Sequence, residues 1–180
     1  MLIAAAVLAA AGCSLEDIPL DPPDSVDGYQ GLCNEDETTR PAVRSPAEYV
    51  GAGPHRLVLG TWPAFGGPVV PLEWRAQDPK NARLLACVQP SDDGSILQEC
   101  SYVVFQGQRP TVIPLRARHY TFVVKELHTL TTVAVVRLDG RSCPERIATT
   151  AALLFATVTT EELTAALRDV VTSPVAPRST

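Results

Sequence analysis

Apolar and polar residues begin to alternate regularly at about residue 54. Arg56-Leu57-Val58-Leu59-Gly60 reads as a short strand, and Val69–Trp74 as a second, proline-interrupted one suited to a sheet edge. Ala82–Val88 and Ser101–Phe105 read as a third and a fourth, rich in the β-branched and aromatic residues that fit a pleated surface. Between His119 and Leu127 the alternation is clearest. Tyr120, Phe122, Val124 and Glu126 take one side, and His119, Thr121, Val123, Lys125 and Leu127 the other. His128-Thr129-Leu130-Thr131 is the turn, and Thr132–Leu138 returns with Val133, Val135 and Arg137 opposite Ala134, Val136 and Leu138. Both strands are partly apolar on each side, which predicts a central hairpin covered on two faces. Asp139-Gly140 closes it as a turn.

The period then changes. Thr159-Thr160-Glu161-Glu162 forms a capping box, Leu163, Ala166, Leu167 and Val170 follow at helical spacing, and Pro174 stops the run. These elements predict a mainly β domain over residues 49–172. Its expected form is a small β-sandwich or a curved antiparallel sheet with one C-terminal α-helix packed on it, followed by a disordered tail from Ser173.

Before this domain the pattern differs. The run from Leu2 to Ala11 is apolar, too short for the roughly 20 residues that span a bilayer, and ends at Gly12-Cys13. It has the length and small-residue ending of an export signal's core. With Ala10-Ala11-Gly12 before the cysteine, it resembles the lipobox of bacterial lipoprotein signals. That resemblance implies a signal over residues 1–13, a diacylglycerol on the Cys13 sulfur, and attachment to the outer side of the cell membrane. The alternative is secretion without the lipid. No Lys or Arg precedes the run, and Ala10 stands where such signals commonly carry Leu; a start codon further upstream would account for the first.

Net charge is −5 over 180 residues, unevenly spread. Glu16, Asp17, Asp21, Asp24, Asp27, Glu35, Asp36 and Glu37 face only Arg40 within residues 14–40. Residues 14–48 are therefore expected to be an acidic, proline-rich tether, too poor in large apolar groups to offset its chain entropy. Asp21, Asp24, Asp27 and Gly28 do not match a calcium-binding loop. Without a basic stripe, no nucleic-acid partner is expected.

With Cys13 as lipid carrier, Cys33, Cys87, Cys100 and Cys143 remain, an even number that reads as two disulfides in an exported chain. Four cysteines allow three pairings. Cys87 ends one apolar run and Cys100 begins the next, and the loop-like composition between them favours Cys87–Cys100, leaving Cys33–Cys143. There is no C-x-x-C, so neither a metal site nor a thioredoxin-like redox role is expected.

Several stretches together resemble a group of uncharacterised exported actinobacterial proteins. These are Tyr49–Leu59, Leu84–Val88, Cys100–Tyr102, Tyr120–Leu127 and Arg137–Pro144. The resemblance covers about residues 49–172 and implies an exported β domain with a terminal helix. The chain departs from the group's pattern at His128-Thr129-Leu130 and at Arg56. The group carries no assigned activity, so no catalytic residue comes with it.

Candidate chemistry is sparse. No nucleophile elbow, phosphate loop, zinc-protease motif or dinucleotide fingerprint occurs. His55 reads as a turn or surface residue, His119 as an exposed strand-end residue whose protonation Arg116 and Arg118 depress, and His128 as a solvated hairpin tip. Arg116 and Arg118 share one strand face and can hold an anionic ligand, or simply keep an edge charged. Trp62, Phe65 and Trp74 flank a Gly-Pro-rich loop and form either a surface for sugar or peptide or the plug of a sandwich. No cofactor or metal is expected. The leading expectation is a non-catalytic envelope lipoprotein that binds a protein or cell-wall component. The competing ones are a hydrolase using a His/carboxylate pair and a purely structural spacer. A histidine–carboxylate pair in a deep pocket would support the enzyme, and a shallow aromatic or Arg-lined face would support binding.

Overall fold

The alternation at His119–Leu127 is the second half of a longer strand. In the computed structural model, which describes residues 22–33, 45, 47–60, 68–103, 109–145, 147 and 151–177, strand β3 runs from Thr111 to Glu126. It pairs antiparallel with β2 (Leu84–Tyr102) on one side and β4 (Thr132–Gly140) on the other. β4 ends the strand order rather than lying at the centre, and Asp139-Gly140 belongs to it rather than to a closing turn, but the hairpin joining β3 to β4 turns where expected. Leu130 adopts φ 61° there and donates its amide to the Glu126 carbonyl at 2.7 Å. The Glu126 carboxylate, almost fully buried, accepts from Thr129 Oγ1 at 2.8 Å and from the Tyr49 amide at 3.2 Å.

Two short parallel strands complete an open, mixed sheet. β1 (Leu57–Leu59) lies outside β2, and β5 (Leu154–Phe155) takes the place beside β3 beyond the end of β4. The fold is mainly β with a C-terminal helix, as expected, but the sheet is mixed rather than wholly antiparallel. Val69–Trp74 is not a strand. After Pro71 the chain makes a 3-10 turn over Leu72–Trp74, which aims Trp74 into the core.

The larger correction concerns β2. The expected third and fourth strands are two ends of one 19-residue strand, and the loop-like residues between them do not reverse the chain. Asp92 pairs with Arg118 and Ile96 with Arg116, so Asp93, Gly94 and Ser95 bulge out opposite Ala117 alone. The Asp93 carboxylate accepts from the Ser95 amide at 2.8 Å and its hydroxyl at 2.7 Å, while Gly94 supplies φ 81°. These turn-forming residues curl locally without breaking the ladder.

The disulfide pairing follows from this continuity. Cys87 faces Val123 and Cys100 faces Ile113, ten residues apart along β3, on the order of 33 Å at the usual strand rise. A disulfide needs Cα atoms within about 7 Å. The bonds are instead Cys33–Cys87 (Cα–Cα 5.2 Å) and Cys100–Cys143 (6.0 Å), which corrects the expected Cys87–Cys100 and Cys33–Cys143.

Three apolar clusters hold the sheet. Helix α1 (Thr160–Thr172) carries the expected capping box and buries Leu163, Leu167 and Val171 on Leu84, Ala86, Tyr120, Phe122 and Val124. On the opposite face a 3-10 turn, Val26–Cys33, buries Tyr29 and Leu32 against Leu85, Cys87 and Leu127. Part of the acidic arm is thus docked into the domain rather than solvated. A third cluster lies at the far end of the β2–β3 ribbon, around Cys100, Ile113, Leu115, Leu154 and Ala156. Beyond α1, Val175 and Gly51 exchange two backbone hydrogen bonds of 2.9 and 2.8 Å, so the segment expected to be a disordered tail is paired to the domain at its third residue. Among the described residues no helix is long and apolar enough to cross a membrane.

Candidate functional site

The even-numbered face of β3 is covered in one half and open in the other. From Tyr120 to Glu126 these residues are buried, with Tyr120, Phe122 and Val124 beneath α1. From Val112 to Arg118 they are exposed or half-buried. Residues paired across a ladder point to the same side, so Ser101, Glu99, Ile96 and Asp92 of β2 extend the open half beside Val112, Pro114, Arg116 and Arg118. Phe155 of β5, in register with Arg116, bounds it. Val112 and Ile96 are 55% and 54% exposed, large values for aliphatic side chains. Two further apolar residues, Leu97 in the strand and Val103 just beyond it, are also exposed.

Arg118 organises the polar part of this face. Its Nε and Nη2 donate to the two oxygens of Asp92 at 2.6 and 3.1 Å, a fork-to-carboxylate pair. Its guanidinium carbon lies 3.5 Å from the centre of the Phe155 ring, a cation–π contact. Burial alone would lower the Arg118 pKa, but the Asp92 hydrogen bond and charge outweigh it and hold it raised. The same hydrogen bond holds the Asp92 pKa below its ordinary value. The buried Nε of Arg116 has no hydrogen-bond partner among the described residues. The result is a surface with exposed apolar flanks, one paired guanidinium and one lacking an acceptor at Nε among the described residues. Arg116 and Arg118 share a face, as their spacing indicated. Asp92, Ile96 and Phe155 carry no comparable signal in the sequence. Asp92 stood in a stretch that read as loop, and nothing in the sequence marks Phe155 as a neighbour of Arg118.

No family model, no curated protein and no solved structure matches this chain. The geometry of its own residues is what carries a functional reading.

Of the aromatic candidates only Trp74 lies among the described residues, and it is not on the surface. Trp74 is 6% exposed and belongs to the core beneath α1, because the turn after Pro71 directs it inward. Trp62 and Phe65 lie outside the described residues. The histidines also differ from expectation. His55 is fully buried, packed edge-on against Tyr49 with ring centroids 4.5 Å apart. Its Nε2 donates to the Ser173 carbonyl at 3.0 Å and its Nδ1 accepts from Arg83 Nη1 at 3.2 Å, which describes a neutral ring. His128 is half-buried and contacts the Ser45 carbonyl through Nδ1 at 3.0 Å. At His119 the expected depression is reversed. Hydrogen bonding to Asp139, 2.7 Å away, is the main cause that raises its pKa, and Asp93 adds to it. Arg116 and Arg118 do not oppose this, because strand alternation puts them on the other face.

Burial, with the Arg83 charge adding to it, lowers the His55 pKa below 6.5, and that has a measurable consequence. A depressed histidine pKa contributes stability above the unfolded value, and that stability is lost as pH falls through the folded value. The raised pKa of His119 acts in the separate window above pH 6.5. Stability of the wild type to urea should therefore weaken as pH falls below 6.5, and that of His55→Phe should weaken less over the same interval. An equal pH slope in both would remove His55 from the account.

Two cavities lie away from the open face. One, about 230 Å³, is lined by Val26, Gln30, Leu57, Leu59 and Val70; the other, about 440 Å³, by Ser142, Glu145, Thr157 and Thr159 at the start of α1. No histidine lines either cavity.

Proposed function

We propose that this chain is a non-catalytic envelope lipoprotein, tethered through Cys13, whose open sheet face binds a protein or cell-wall component. The observation that carries the binding reading is the uncovered half of β3, where exposed Val112 and Ile96 flank Arg116 and Arg118. An exposed sheet face with large apolar side chains suits a macromolecule, whereas small-molecule sites are usually concave. Two cysteine pairs at bonding distance suit an oxidising exterior, and the short apolar leader and the Cys13 motif point the same way. The resemblance to exported actinobacterial proteins fits the same reading.

The His119–Asp139 pair favours a second reading, a hydrolase, since a carboxylate-oriented imidazole is a general-base arrangement. Both groups are about half exposed, and the remaining ring nitrogen faces a second carboxylate, Asp93, rather than a nucleophile. Binding is therefore the better-supported function.

A photoreactive side chain at Val112, expressed in intact cells, should cross-link an envelope component, and Arg118→Glu should reduce that product. The same probe at Leu72, 62% exposed but outside this face, should give none of it. No product at Val112, or equal products at both positions, would contradict the proposal.

A further inference from the structure

His119 stands where three strands meet. Its ladder partners are Ser91 on β2 and Asp139 on β4. Nδ1 lies 2.7 Å from Asp139 Oδ1, and Nε2 lies 3.6 Å from Asp93 Oδ2, within ion-pair range. Asp93 is the first residue of the β2 bulge and also holds Ser95 through its other oxygen. One imidazole thus reaches both β4 and the bulge that carries the chain into Ile96.

Protonation state decides whether both contacts are favourable. An imidazolium presents N–H on each ring nitrogen, so both carboxylates face a donor. A neutral imidazole has one N–H, and its other lone pair must face a carboxylate. The surrounding charges do not replace the lost proton. From β2 come Asp92 and Asp93; from β3, Arg118, engaged with Asp92 on the opposite face; from β4, Arg137 and Asp139. Arg141, just beyond β4, reaches Asp139 at 3.9 Å. With His119 charged, Asp93 and Asp139 are both countered. Without that charge, Asp139 keeps Arg141, and Asp93 keeps, among the described residues, its bonds to Ser95.

We propose that His119 is a proton-operated latch: when charged it fastens the Asp93–Ser95 bulge to β4, and when neutral it releases the bulge and the Ile96 margin of the open face. The control of binding rests on the proposed function; the latch itself does not. The sign is set by the raised pKa. The contribution is complete below the unfolded value of 6.5 and lost as pH rises through the folded value above it.

The Ser95 amide bonds Asp93 within the bulge in either state, so the reporters are the ladder residues at its margins, Asp92 and Ile96. Hydrogen exchange on the disulfide-intact protein, corrected for intrinsic chemistry, should show Asp92 and Ile96 losing protection as pH passes upward through the His119 titration. The expected loss is about two- to fivefold, the scale of an exposed ion pair. An NMR titration should place the His119 midpoint above 6.5. His119→Gln and Asp139→Asn, both at exposed positions, should abolish the pH step. A wild type with no step, a step that survives in His119→Gln, or a midpoint at or below 6.5 would overturn the latch. None of these readouts needs a partner, so they fail independently of the Val112 cross-link.

Discussion

Replacing Cys33 and Cys87 together with alanine should lower stability by about 4 kcal/mol. The bond closes a separation of 54 residues. In the chain-entropy model such a loop falls between about 3 kcal/mol for 15 residues and about 4.7 for 100. Packing works in the same direction, since both cysteines lie in or against the cluster formed by Tyr29, Leu32, Leu85 and Leu127. Urea unfolding of the oxidised proteins measures the loss, and a change below about 1 kcal/mol would contradict it. The same variant separates the two pairings. With Cys33–Cys87 gone, a non-reducing peptide map should still show Cys100 joined to Cys143. Under the pairing suggested by the sequence it would show two unpartnered thiols.

Tyr29→Ala should cost about 3 kcal/mol or more, the range for truncating a large buried aromatic. Tyr29 is fully buried, and its hydroxyl donates to the Pro79 carbonyl at 3.0 Å. Tyr29→Phe, which removes the hydroxyl and leaves the ring in place, should cost about 1 kcal/mol. A residue on a solvated tether would give a change near zero in both, so the pair of variants decides whether this part of the acidic arm belongs to the fold. The effects of Tyr29→Ala and of the missing disulfide should not add, because both act on one cluster.

The sequence was most legible where local pattern and tertiary role agree. His119–Leu138 alternates as a hairpin, and Thr159 to Glu162 signal a helix start without reference to the rest of the chain. Arg116 and Arg118 share a face because strand geometry alone requires it. The misreadings arise where a local signal has two physical outcomes. Asp92-Asp93-Gly94-Ser95 has turn chemistry, and such residues serve a bulge as well as a reversal; only the pairing partner decides. That single ambiguity split β2, misdirected the cysteine pairing and hid Asp92 from the site. Val69–Trp74 has strand composition, but Pro71 is followed by a 3-10 turn. Acidic composition concealed Tyr29 and Leu32, two large residues sufficient to dock the arm once Cys33 is bonded. Arg116 and Arg118 are near His119 in sequence, but its charge is governed by Asp139, twenty residues away.

Metabolic labelling with an alkyne fatty acid tests most directly the proposal that this domain works from a membrane tether outside the cytosol. The account predicts labelled wild-type protein, with the label lost in Cys13→Ala. Unlabelled wild-type protein, or a Cys13→Ala variant that retains the label, would contradict it.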